Sequence, residues 1–528
     1  MTRHFGQIGK FLIGTLAILL IEAPLAASKP TDTEIARFLN HATFGATEES
    51  IAQVKAIGYE AYLEQQFALP LPEYSDYPDE PNQPPELSIC DKTCRRDNFS
   101  VYPLQVNFYK NALTGQDQLR QRVAFALSQI LVVSSQDSQI RQPSRLQPYL
   151  KLLDKHAFGN YRQLLEEITL NPAMGAYLDM AGNKKTAPNE NYARELLQLF
   201  SIGLFELNPD GTQKKDKTHQ PIPTFDQTVI NNFSRVFTGW NLATSTQDKA
   251  LRSYATPMVE KAGNHDSDPK VLLKGQAIPG GMSMANELDT ALDNVFAHPN
   301  VAPFISRQLI QHLVSSNPST AYVARVAKVF QSSAGNMKLV VRAILLDRDA
   351  LKPPTGSAGH LREPVLWLTH LLRNFKVNET TSDFVLSDSY LPQQFDLLQD
   401  VYKAPSVFNF FPPDYTLPDS KLQGPEFAIY STSEAFKRAN FAYALIYHKL
   451  AVSTDRPKGT WIDTSPLLPL ATNSTNLVDR LNILMLHSDM STSMRKTLIK
   501  TLDAIPAAER VQNAIYWIAT SPKYLIER

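Results

Sequence analysis

Cysteine is almost absent from this chain. Cys90 and Cys94 are the two such residues among 528, in the stretch CDKTC. Their spacing excludes a C-x-x-C redox pair, and a metal site built on them would need ligands from elsewhere. In an oxidising compartment the expected state is a small local disulfide, since one turn brings the two Cα atoms within range. An excess of charge of either sign is also missing, with 52 basic residues balanced by 52 acidic ones. A neutral chain exerts no bulk pull on nucleic acid or anionic lipid. There is no G-x-S-x-G elbow, H-E-x-x-H, P-loop, G-x-G-x-x-G or C-x-x-C-H haem site. The common hydrolase, nucleotide and c-type cytochrome signatures are thereby set aside.

Long apolar runs are missing too, apart from one. Arg3 and Lys10 precede the apolar stretch FLIGTLAILLI at 11–21, and small residues follow at Ala26, Ala27 and Ser28. A membrane-spanning helix needs about 20 such residues. The arrangement is that of a signal peptide, so 1–27 is expected to be removed and 28–528 to work as a periplasmic or secreted protein. An uncleaved N-terminal anchor is the alternative. No integral span is expected after cleavage.

Helical periodicity dominates the remainder. Residues 116–133 place Leu119, Val123, Ala126, Leu127 and Ile130 on one face. Similar stripes recur at 161–170, 191–202, 229–237, 302–313, 321–330, 338–346, 364–375, 433–450, 477–486 and 510–518. Strand signals are few; the clearest is 204–207, a turn at Asn208, Pro209, Asp210 and Gly211, and a returning arm at 221–225. No linker divides the chain. The expectation is a mainly α protein, one large multi-helix domain with long loops and one small β-hairpin.

Two segments concentrate chemistry. In PNENYARELLQLF at 188–200, Tyr192, Leu196, Leu199 and Phe200 form an apolar stripe beside Asn191, Arg194, Glu195 and Gln198. Glu190 is spaced to pair with Arg194. One reading makes Glu190 or Glu195 an acid, base or metal ligand oriented by Arg194; the other makes them a salt-bridged helix start. In the second segment His265, Asp266 and Lys270 offer a proton shuttle, a metal ligand and an anion contact, against the alternative of plain turn chemistry. A divalent metal ion is compatible with this set. Glu206, Asp210 and Thr212 are spaced like a calcium loop, but Lys217 stands where the last acidic ligand belongs, so a hairpin turn is expected. The aromatic groups FTGW at 237–240 and FNFFPP at 408–413 suit either a carbohydrate or apolar-ligand groove or core packing.

Taken in order, RFLNHATFG at 37–45, NPAM at 171–174, the helix entry at 189–195 and FTGW at 237–240 form a pattern. His265, Asp266 and Lys270, then His298, Pro299 and Arg307, and finally Arg362, Glu363 and Pro364 continue it. The ordered set resembles the bacterial domain-of-unknown-function 1800 family from about Thr33 to near the C-terminus. The resemblance implies an exported helical protein, often encoded beside a secreted protein of the alkaline-phosphatase-like superfamily, which is thus a partner to consider. It implies no reaction. Many members carry histidine where Phe200 stands, so no histidine ligand is required there. Acid–base or metal-assisted work on an extracellular glycan or related polymer is the enzymatic expectation; a non-enzymatic assembly or partner protein is the alternative.

Overall fold

Two helices run through the centre, and their sequences explain why. Gln118–Ile130 and Pro364–Asn374 bury nearly every residue; the second is apolar around most of its circumference, whereas the first also buries Arg120, Arg122, Gln121 and Gln129. The computed structural model describes residues 29–528 other than 82, 354, 357, 380–394 and 451–458. The expected signal peptide, with its cleavage point, lies outside the described residues. The chain is mainly α, and its buried apolar side chains join into one continuous core. Pro143–His156 and Val301–Leu313 flank the first central helix, and Tyr102–Thr114 and Ser474–Leu486 flank the second.

Several motif segments act first as helix starts. Asn171 accepts from the amides of Ala173 and Met174 with Pro172 at the first helical position. Thr31 and Glu34 form a capping box ahead of Asp32–Ala42. Glu363 stands before Pro364 in the same way but makes no side-chain cap, which frees its carboxyl for other partners. Gly45, at φ +132°, lies against the second central helix, where a Cβ would sit 2.8 Å from the His370 Cα.

Among the described residues the strands form four two-stranded antiparallel pairs: Trp240–Asn241 with Val259–Glu260, Lys270–Val271 with Ala277–Ile278, His360–Leu361 with Ile526–Glu527, and Lys376–Glu379 with Thr460–Asp463. The hairpin expected after residue 204 is present as isolated bridges, Phe205 to Pro223 and Leu207 to Gln213, with Gly211 (φ +79°) in the turn. Cys90 and Cys94 are at disulfide distance, with Cα atoms 5.2 Å apart. Among the described residues no helix is long and apolar enough to cross a membrane.

Candidate functional site

The residues singled out by pattern fall into two groups, joined by one helix. Gln227, Asn231 and Arg235 share a face of Gln227–Val236, four residues apart. At its start Gln227 donates to both Glu190 oxygens at 2.9 Å. At its end Arg235 grips Asp266 with two hydrogen bonds, of 2.7 and 3.0 Å. The two groups are therefore about 12 Å apart along the helix axis.

Glu190 precedes Asn191–Gln198 and does not cap it; the Asn189 side chain accepts the Asn191 amide instead. Its carboxylate pairs with Arg194 at 2.8 Å in a half-exposed position. Glu195 turns inward. Burial raises its pKa, Arg194 opposes the shift, and its Oε2 has no hydrogen-bond partner among the described residues. Asn191 donates to Asp179, which lines an open polar cleft of about 390 Å³.

The second group is closed. Lys270 Nζ lies 2.7 Å from Glu287 Oε1 and also donates to the carbonyls of Asp266 and Asp268. His265 Nε2 stands 3.1 Å from Glu287 Oε2, and its Nδ1 meets the Thr238 carbonyl at 2.9 Å. The Glu287 contact, ahead of the opposing effect of burial, raises the His265 pKa. Hydrogen bonding to Arg235 holds the Asp266 carboxyl below its usual range. Lys270 and Glu287 are each 1% exposed, so every charge in this knot already has a partner. Gly239 (φ +88°) passes so close that a Cβ would sit 2.9 Å from the His265 Cβ. Glu287, in the first turn of Met284–Phe296, carried no signal beyond a carboxylate at a helix start.

A larger ionisable centre lies between the two central helices. Strand register sets Glu527 opposite His360, with Nε2 and Oε2 3.2 Å apart. Arg362 Nε and His370 Nδ1 each stand 3.7 Å from the same oxygen. Burial opposes ionisation of Glu527, yet the surrounding His370, His360 and Arg362 hold its carboxyl well below the usual range. Burial also works against the His360 cation, and Glu527 overrides it to raise that pKa. Burial drives the His370 pKa the other way, and Arg362 Nε lies 3.1 Å from its Nδ1. Asn40 bridges His370 and His487. Burial holds His41 neutral down to about 4, and burial with a neighbouring arginine does the same for His312 and His487 down to about 3.

Two carboxyls complete the centre. Glu363 accepts from Gln399 and, at 3.2 Å, from Gln129, whose own oxygen takes the Asn409 amide at 2.8 Å. Its pKa is raised, first by burial. Glu426, also buried, is pushed up to about 7, with His360 pulling the other way. Glu426, Gln129, Asn409 and His312 line a narrow pocket of about 30 Å³, walled by Phe408 and Phe411. That is room for a water or a single substituent of a larger ligand. Gln308 and Gln311 add two further amides, and Gln308 Nε2 has no partner among the described residues. A second pocket, apolar and about 420 Å³, has His360 in its lining.

His41, Arg362, Glu363 and the 408–413 aromatic group thus converge on one place, although pattern alone assigned no chemistry to the first three. A family described as a protein of unknown function (DUF1800) matches residues 37–526. The chain belongs to this family. No curated protein and no solved structure matches it. The matched span starts at Arg37 and ends at Ile526, and so takes in most of the DUF1800 chain's ionisable centre.

Proposed function

We propose that the protein is exported and performs acid–base chemistry on a hydroxyl-rich extracellular polymer, with Glu426 as the proton donor. The observation that carries this reading is the Glu426 carboxyl, raised to about 7 in the wall of the amide-lined pocket. A general acid works best with a pKa near the operating pH. Gln129, Gln308, Gln311 and Asn409 supply donors and acceptors of the kind that hydroxyl groups require, and Phe408 and Phe411 supply an apolar wall. Glu363 sits one amide behind the pocket and steadies Gln129. Among the described residues no three His, Cys, Asp or Glu side chains are grouped to hold a metal ion, and the reading rests on the carboxyls.

The test incubates the purified mature chain with a panel of bacterial extracellular polysaccharides and measures new reducing ends. Glu426→Gln should lower the rate by about 10²–10⁴ without lowering the thermal midpoint. Equal rates in the two proteins, or no release from any member of the panel, would overturn the reading. The assembly reading, with a secreted alkaline-phosphatase-like partner, draws on the exposed Phe436 and Tyr443, which are 68% and 47% accessible on one face of Thr432–Tyr447.

A further inference from the structure

The pocket around Glu426 has a charge pattern that the acid–base reading leaves unused. Among the described residues no lysine or arginine lines it, and burial keeps His312 in its wall neutral down to about 3. Arg122 and Arg307, on the helices that supply its glutamines, donate elsewhere: to the His312 carbonyl and, at 2.8 Å, to the Gln423 side chain. The nearby acids are Glu426 itself and Glu363, one amide behind. An anionic group entering here would lose its water with no cation to offset the loss. Gln311 donates its amide to the Ser316 carbonyl and to Gln423, and Asn409 donates to Gln129. What these two side chains have left for a ligand is oxygen, an acceptor. Leu199 and Phe411 stand beside them as an apolar wall, and Phe408, 43% exposed, marks the open side.

We infer that the group this pocket takes is an uncharged acetamido substituent, so that the polymer is a neutral N-acetylated glycan and not a uronate or a plain hexose chain. The inference rests on the acid–base reading of the same site. An acetamido group brings the N–H that the Gln311 and Asn409 oxygens can accept, and a methyl for the apolar wall. A hydroxyl in its place makes the hydrogen bond but leaves Phe408 and Phe411 without an apolar partner. A carboxylate fares worst, because it brings acceptors to acceptors and a negative charge to a site lined by no cation.

Isothermal titration of the full mature chain with β-1,4 tetramers of N-acetylglucosamine, glucose and glucuronic acid tests this. The tetramers are sulfur-linked and resist cleavage, so their binding is read separately from the reducing-end assay that decides the acid–base reading. The N-acetylglucosamine tetramer should bind saturably, roughly tenfold tighter than the glucose tetramer, and the glucuronic acid tetramer should not bind. Phe408→Ala, at an exposed position that the fold tolerates, should bring the N-acetylglucosamine tetramer down to the affinity of the glucose tetramer and leave the latter nearly unchanged. Equal affinity for the two neutral tetramers in the wild-type chain, binding of the glucuronic acid tetramer, or an N-acetylglucosamine affinity indifferent to Phe408→Ala would overturn the inference. So would the absence of binding by all three.

Discussion

Glu287 receives Lys270 on one oxygen and faces His265 with the other, and all three are withdrawn from water. Removing one member of such a group leaves a buried charge without compensation, at about 3–5 kcal/mol. Glu287→Gln is expected to destabilise by that amount in urea unfolding, with Lys270 as the stranded cation. Glu190 differs because its pairing with Arg194 is half-exposed and screened. Glu190→Gln should change stability by no more than about 1 kcal/mol in the same experiment. A large loss for Glu190→Gln and none for Glu287→Gln would invert the assignment of structural and solvated roles. Residue type alone could not make this distinction. Both segments read as clusters of carboxylate and base, and only the approach of Met284–Phe296 turns one of them into a closed knot.

At the scale of elements, periodicity worked where an apolar stripe was long and free of proline. Residues 302–313 and 364–375 were legible to within a residue or so of Val301–Leu313 and Pro364–Asn374. Pro143–His156 was hidden by Pro143 at its start and Pro148 in its interior. The two-residue strands were illegible because alternation needs four or more residues to show. Hence the pairing of His360 with Glu527, which brings together residues 167 apart in sequence, had no local signature. The centre was half legible. Arg37–Gly45 and Arg362–Pro364 stood out as motifs, whereas Glu426 and Glu527 did not. The Cys90–Cys94 bridge closes a very short loop beside Lys92–Asn98. The chain-entropy relation gives it about 2 kcal/mol. Reduction should lower the thermal midpoint modestly, and proteolysis after reduction should cut first around 86–98. An unchanged cutting pattern would show that the bridge does not hold that segment.

For the whole molecule, the ionisable centre makes stability depend on pH in both directions. His41, His312 and His487 have folded pKa values of about 4, 3 and 3, below the ordinary 6.5. Their contribution is complete above 6.5 and is lost as pH falls toward those values. Glu426 and Asp154, both at about 7 through burial, act with the opposite sign. A raised carboxyl contributes fully below its unfolded value near 4 and is lost as pH rises through 7, at roughly 3 kcal/mol each. Thermal midpoints should therefore peak near pH 6, and His41→Gln should soften the acid limb. A flat profile from pH 4 to 8 would contradict this account of the centre. The proposed chemistry requires that Glu426 still hold its proton near neutrality. Difference infrared titration of the wild-type chain against Glu426→Gln isolates that one carboxyl. The predicted result is a protonated carbonyl band that disappears with a midpoint of about 7; a midpoint at the ordinary value of 4.5 would contradict it.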